Sequence, residues 1–144
     1  MEMFGKSKPI RKIYLVGPLN TPSCRDDTDN ESEAYLYNIR DMIKVAVRLI
    51  KNGLSPYPIG MDFSYFFNDS KITIEELKNV SLSWLEVSDA VLTLPNWDKS
   101  EGSIKEVAKA RELQIPIFHN YDFLISYITA RNTMIELENE ENQT

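Results

Sequence analysis

The sequence predicts an α/β fold, a small Rossmann-like three-layer domain with a mainly parallel sheet of four to five strands. Short apolar runs alternate with segments of helical periodicity, strand first, four times along the chain. This alternation is typical of parallel sheets that carry helices on both faces. A run such as Ala90–Leu94 is apolar almost throughout, which is expected of a strand that is covered on both sides.

The first half of the chain contains two strands and a helix. The first strand is Ile13–Val16, which Gly17 ends. A helix follows with Ser32 as its predicted N-cap, and Asn52 with the following glycine forms a C-terminal stop. Leu54–Tyr57 is then a brief second strand.

The second half repeats the pattern twice. Thr73 begins a helix that runs to about Val87, and Ala90–Leu94 is the third strand. A helix over 102–113 leads to a fourth strand at Ile115–Phe118. The last helix is predicted from Tyr121 to about Leu137. We expect one domain over 12–137, a flexible N-terminal arm over 1–11 and a disordered acidic tail over 138–144.

The bulk composition narrows the class of partner. The formal net charge of −6 argues against nucleic-acid binding, which needs a basic face. No apolar run approaches the roughly 20 residues of a membrane span. The single cysteine, Cys24, fits a reducing compartment, so we expect a cytoplasmic protein. With one histidine, His119, and no Cys/His cluster, we expect neither a metal site nor another cofactor.

The strongest chemical signal is the pattern Ser100-x-Gly102-x-x-x-Glu106 after the third strand. Ser100 could cap the helix and bind an anion, and Gly102 leaves room for a ligand to approach. Glu106 lies little more than one helical turn further on, so it would face the same crevice. A carboxylate there could act as a nucleophile at a sugar carbon. The alternative is a capping serine followed by a solvated glutamate.

A second candidate group lies at the end of the first strand, where Tyr14 precedes Gly17-Pro18. Gly17 would let a ligand approach the backbone closely, although a simple turn after a core tyrosine has the same pattern. The spacing matches neither GxGxxG nor a P-loop, so it does not support a conventional dinucleotide or triphosphate site.

Other residues near these loops have two interpretations each. Asp98 could bind a sugar hydroxyl or make a turn, and Trp97 could stack on a base or cover the core. Asp89 begins the third strand, where a carboxylate usually binds loop amides, so a structural role is favoured over substrate binding. His119 follows the fourth strand and is either a rim residue of the site or a surface residue.

Taken in order, these pieces resemble the nucleoside 2-deoxyribosyltransferase-like family, which includes the deoxynucleoside 5′-monophosphate N-glycosidases. The resemblance covers roughly residues 12–120. It rests on Lys12–Pro18, Asn38, Leu49–Gly53 ahead of Pro56 and Pro58, Ser88–Val91, Ser100-x-Gly102-x-x-x-Glu106, Ala108-x-Ala110 and Gln114–Ile117.

The resemblance implies roles for individual residues. Glu106 matches the nucleophile that attacks the anomeric carbon, and Tyr14 matches the tyrosine beside it. Ser100 and Gly102 match a phosphate-binding turn, and Gly17 with the backbone after it, Pro18 included, matches the rest of the phosphate and sugar cradle. Attack by water would give hydrolysis and attack by a second base would give transfer. A homodimer or larger homo-oligomer is also implied.

Ser81 departs from the family pattern, which usually has an acidic residue eight positions before the strand-three aspartate. A serine cannot protonate a leaving base. Asp98 or Asp62 could take its place from another loop. Two functions therefore stay open: an N-glycosidase or deoxyribosyltransferase acting on a nucleoside or its 5′-monophosphate, and a non-catalytic nucleotide-binding module.

Overall fold

The computed structural model describes residues 8–19, 27–60 and 71–143. Cys24, Asp62 and most of the N-terminal arm lie outside the described residues. Within the described ranges the strands are β1 (Lys12–Val16), β2 (Ser55–Pro58), β3 (Ala90–Thr93) and β4 (Ile117–Phe118). The helices are α1 (Glu31–Lys51), α2 (Ile74–Glu86), α3 (Glu101–Glu112) and α4 (Tyr121–Asn142), with a short 3-10 helix at Trp97–Lys99.

The described strands form one parallel sheet in the order β2-β1-β3-β4, which confirms the predicted fold class. The chain moves from β1 outward to β2 and then returns to the other side of β1. The strand order therefore reverses between β1 and β3. In open parallel sheets this is the topological switch point, and ligands bind in the crevice beyond the carboxyl ends of the strands there.

The helices cover both faces of the sheet. On one face α1 and α4 touch, since the Asn52 side-chain amide donates to the Tyr121 hydroxyl over 2.9 Å and the Arg48 guanidinium lies 3.8 Å from the centre of the Tyr121 ring. On the other face α2 contributes Trp84, whose ring stacks on Tyr57 of β2. Helix α3 lies beside α2 and contacts β1 and β4.

The core is centred on β1, where the four residues Ile13–Val16 are fully buried. Tyr14 is the largest of the fully buried side chains. The sheet pleat sends alternate side chains to opposite faces, so Tyr14 points to the side of α2 and α3. This places a phenol hydroxyl deep on the side of the sheet that also carries Glu106.

Several element boundaries differ from the sequence predictions by one to five residues, and β4 is limited to Ile117–Phe118. The predicted N-cap Ser32 is wrong: Asn30 caps α1, and its side-chain oxygen accepts from the Glu33 N–H over 3.0 Å. Strand β2 runs on through Pro58, which an edge strand tolerates because one side needs no N–H donor. Helix α4 continues past Leu137 to Asn142, since glutamate is a good helix former.

Candidate functional site

Tyr14 and Glu106 are brought together on the α2–α3 side of the sheet. Tyr14 comes from the middle of β1 and Glu106 from the second turn of α3, where it is partly buried. Burial raises the pKa of the Tyr14 phenol far above its ordinary value, and the neighbouring Glu106 carboxylate adds to the rise because it disfavours a second negative charge. The phenol therefore stays protonated beside the carboxylate.

The surroundings of this pair are aromatic and weakly polar. The Tyr14 ring stacks on Tyr57 with centroids 5.4 Å apart, and Tyr57 stacks on Trp84 at 5.7 Å. Ser81 of α2 also lies near the phenol, but its hydroxyl donates to the Leu77 carbonyl over 3.1 Å. Within the described part of the chain, the buried Tyr14 hydroxyl makes no hydrogen bond of standard geometry.

Ser100 and Gly102 lie at the amino end of α3, as the sequence predicts. The Ser100 hydroxyl oxygen accepts a long bond of 3.4 Å from the Ser103 N–H, so this serine is the N-cap of the helix. Gly102 is exposed, and a β-carbon built there meets no atom within 4 Å. The space over the first turn of α3 is therefore open.

Trp97, His119 and Thr93 form a cluster beyond the carboxyl ends of β3 and β4. The Trp97 and His119 rings stack with centroids 5.3 Å apart, and His119 Nδ1 lies 2.7 Å from Thr93 Oγ1. Asp98 follows Trp97 in the 3-10 helix and is exposed. Thr93 was not among the predicted site residues, although a polar side chain at the end of an apolar strand is a signal that could have indicated it.

Asp89 lies at the amino ends of the strands, whereas Trp97, His119 and Thr93 lie at the carboxyl ends. Its Oδ2 accepts from the backbone N–H groups of Arg11 and Lys12 over 3.0 and 2.9 Å, at the amino ends of β3 and β1. This is the structural role that the sequence favoured. The structure does not bring Asp89 to the carboxyl edge, where its predicted role in substrate binding would place it.

Gly17 and Pro18 line a cavity of about 730 Å³. Asn96 and the α1 residues Lys44 and Arg48 line it as well. A β-carbon on Gly17 would come within 3.1 Å of Leu94 Cβ, so any larger residue here would press on Leu94. The cavity lies on the α1 side of the switch point. Of the predicted site residues in the described chain, only Gly17 and Pro18 line it.

The described residues contain no group of three or more His, Cys, Asp and Glu side chains arranged to hold a metal ion. None of the described helices has the length and apolar content needed to cross a membrane. Neither a family model nor a curated protein matches the chain. The fold and the site define an α/β domain with a carboxylate and a protonated phenol beside the switch point.

Proposed function

We propose that this protein cleaves or transfers the N-glycosidic bond of a nucleoside or a nucleoside 5′-monophosphate, with Glu106 as the nucleophile. The observation that carries the proposal is the approach of the partly buried Glu106 carboxylate to the buried Tyr14 phenol. A carboxylate in a partly desolvated site is a better nucleophile than one in water, and the neutral phenol beside it adds no second negative charge to the site.

The reaction has two steps. A carboxylate oxygen of Glu106 bonds to the anomeric carbon as the bond from that carbon to the base breaks, and the base leaves with the electron pair. In the second step, water attacks the same carbon, its proton returns to the residue that protonated the leaving base, and the freed carboxylate completes hydrolysis. A second base attacking in place of water completes transfer.

The leaving base needs a proton, and Ser81 does not supply it, because its hydroxyl is bound to the Leu77 carbonyl and is not acidic. We assign this role to Asp98, which precedes α3 at the carboxyl edge of the sheet and is exposed to an incoming substrate. Substrate contacts are assigned to residues at the same edge: Gly17, Pro18, Trp97, Ser100 and Gly102. The proposal includes a cytoplasmic location and a homo-oligomeric state.

The alternative is a nucleotide-binding module of the same fold without turnover. Ser81 favours this alternative, because no carboxylate stands at that position of α2. The binding module would still use the open first turn of α3 and the edge residues around it.

The test is a chromatographic assay for free base after incubation with a panel of nucleosides and 5′-monophosphates. We expect the parent protein to release base and Glu106→Gln to release none above background. The matched control is Glu112→Gln, an exposed glutamate at the end of the same helix, which should react like the parent. Equal rates in the parent and Glu106→Gln would contradict the assignment of the nucleophile.

The binding module is tested by thermal unfolding with the same compounds. A ligand present at about 100 times its Kd stabilises the folded state by roughly 2.7 kcal/mol. A shift without base release would support the binding module. If no compound shifts the unfolding temperature and none releases base, both functions are contradicted.

A further inference from the structure

His119 is an exposed side chain whose ring is fixed by two contacts. Its Nδ1 lies 2.7 Å from the Thr93 hydroxyl oxygen, and its ring stacks on Trp97 with centroids 5.3 Å apart and 14° between the ring planes. These contacts set the plane of the imidazole and the direction of each ring nitrogen. An exposed group that is fixed in this way is preorganised for a ligand, because it loses little conformational freedom on binding.

The Thr93 hydroxyl determines which nitrogen of His119 carries the proton. Thr93 is buried, and its hydroxyl also lies 3.4 Å from the Phe118 carbonyl oxygen, to which it can only donate. When its single proton is on that carbonyl, the hydroxyl accepts from His119 Nδ1–H and both hydrogen bonds form. In the opposite tautomer the hydroxyl donates to Nδ1 and the bond to Phe118 is lost. We therefore assign the proton to Nδ1, which makes Nε2 a hydrogen-bond acceptor.

The strand register places this acceptor on the same face of the sheet as Tyr14 and Glu106. Thr93 is aligned with the residue two positions after Tyr14 in β1, and residues two apart on a strand point to the same side. The contact between Thr93 and His119 brings the imidazole to that side as well. In the described ranges, Nε2 has no hydrogen-bond partner within the chain.

The distance between the two ends of this face suits a nucleoside. From Tyr14 to His119 the sheet advances two residues along the strands and two strands across. A rise of about 3.3 Å per residue and a spacing of about 4.8 Å per strand separate the two backbones by roughly 12 Å. A sugar at Glu106 and a base directed toward the carboxyl ends of β3 and β4 span that distance.

The edge of the base that points away from the glycosidic bond then meets Nε2. That edge carries the substituent at C6 of a purine or at C4 of a pyrimidine. The substituent is an amino group, which donates hydrogen bonds, in adenine and cytosine. It is a carbonyl oxygen, which only accepts them, in hypoxanthine and uracil. Nε2 therefore pairs with the amino group, whereas it and a carbonyl oxygen have no proton to share.

We propose that His119 Nε2 selects substrates whose base carries an amino group at this position over the matching bases with a carbonyl oxygen. Thr93 is a positioning residue, because it acts only through the imidazole. The inference rests on the proposed function, since the place of the sugar is taken from Glu106. It adds a choice of base, which neither the nucleophile nor the acid provides.

The first test compares base release within two pairs of substrates, deoxyadenosine with deoxyinosine and deoxycytidine with deoxyuridine, each as nucleoside and as 5′-monophosphate. In the pair that the parent cleaves, we expect kcat/KM to be at least about tenfold higher for the amino member. His119→Phe keeps a ring beside Trp97 but has no acceptor, so the ratio should fall below about twofold, mainly through a higher KM for the amino member. The carbonyl member should react at the parental rate, which also shows that the variant is folded.

Three outcomes of this assay would overturn the inference. They are equal kcat/KM for the two members in the parent, a parental preference for the carbonyl member, and a ratio that His119→Phe leaves unchanged.

The positioning role is tested at Thr93 itself. Thr93→Val keeps the shape of the side chain but frees the imidazole to take either tautomer, so the ratio should fall at least about threefold. Thr93→Ser restores the hydroxyl and should recover the parental ratio. The control is Thr133→Val, an exposed threonine on α4, which should keep the parental ratio. A parental ratio in Thr93→Val, or no recovery in Thr93→Ser, would overturn this role.

Calorimetric titration of Glu106→Gln with the same compounds separates this inference from the proposed function, because the variant should bind them without turnover. Tighter binding of the amino member that is lost in Glu106→Gln/His119→Phe would support the role of His119 even if the parent released no base. Base release by the parent with equal binding of both members would overturn that role and leave the nucleophile in place. If neither member binds and the parent releases no base, both proposals are contradicted.

Discussion

Replacing Tyr14 by phenylalanine should make the protein more stable and change how its stability depends on pH. Tyr14 is fully buried in β1, and in the described part of the chain its hydroxyl makes no hydrogen bond of standard geometry. Leaving a buried polar group unpaired costs about 1–3 kcal/mol, and phenylalanine keeps the ring that stacks on Tyr57. We therefore expect Tyr14→Phe to raise the free energy of unfolding by about 1 kcal/mol at pH 8.

The pH dependence follows from the raised pKa of this phenol. The native state keeps the Tyr14 proton at a pH where the unfolded chain, with an ordinary tyrosine pKa of about 10, loses it. The unfolded state then binds fewer protons, so stability is fully present below pH 10 and falls as pH rises above it. For one tyrosine the loss between pH 8 and pH 11 is about 1.4 kcal/mol. Tyr14→Phe lacks this contribution, so its advantage over the parent should grow from about 1 to over 2 kcal/mol.

The measurement is urea unfolding of parent and variant at pH 8, 10 and 11, so that the other tyrosines cancel in the difference. The control is Tyr127→Phe, which removes a hydroxyl from a ring that is 40% exposed and is measured at the same three pH values. A difference between parent and Tyr14→Phe that stays constant from pH 8 to pH 11 would refute the reasoning. A less stable Tyr14→Phe at pH 8 would show that the hydroxyl is well paired after all.

Three further predictions concern packing, the sheet edge and catalysis. Gly17→Ala should lower the free energy of unfolding by about 1–3 kcal/mol, since its new β-carbon would lie 3.1 Å from Leu94 Cβ. Gly102→Ala should raise it by up to about 1 kcal/mol, because the first turn of α3 is open there. Equal effects of the two substitutions in urea unfolding would contradict the packing argument. Asp89→Ala should lose about 1–3 kcal/mol by the same assay, because two backbone N–H groups lose their acceptor, and an unchanged midpoint would count against that role. Asp98→Asn should lower the rate of base release by at least about tenfold, because it removes the acid assigned to the leaving base, and an unchanged rate would contradict that assignment.

The fold class was predictable because the two central strands have sequence patterns that can be recognised locally. The runs at Ile13–Val16 and Ala90–Leu94 are apolar almost throughout, and only a strand covered on both faces needs that pattern. The helix ends were less predictable. Asn30 and Ser32 are both good capping residues two positions apart, and the choice of Asn30 depends on the path of the preceding loop.

Single side chains with local partners were also predictable. Asp89 binds backbone amides and Ser100 caps α3, as their positions beside a strand and a helix indicate. The cluster of Trp97, His119 and Thr93 was not predictable, because it joins β3, β4 and the 3-10 helix across the sheet. Contacts of that kind depend on strand order, which no local pattern encodes.

The division between the two sides of the sheet follows from strand geometry. Tyr14 and Gly17 are three residues apart, an odd spacing, so the pleat of β1 directs them to opposite faces. Tyr14 accordingly lies beside Glu106 on the side of α3, whereas a β-carbon on Gly17 would meet Leu94 first and then Met42 of α1. A ligand that touches both must lie across the carboxyl ends of β1 and β3, where the strand order reverses. The nucleotide site proposed here is therefore a crevice over the sheet edge, reached from both helical layers, rather than a pocket within either one.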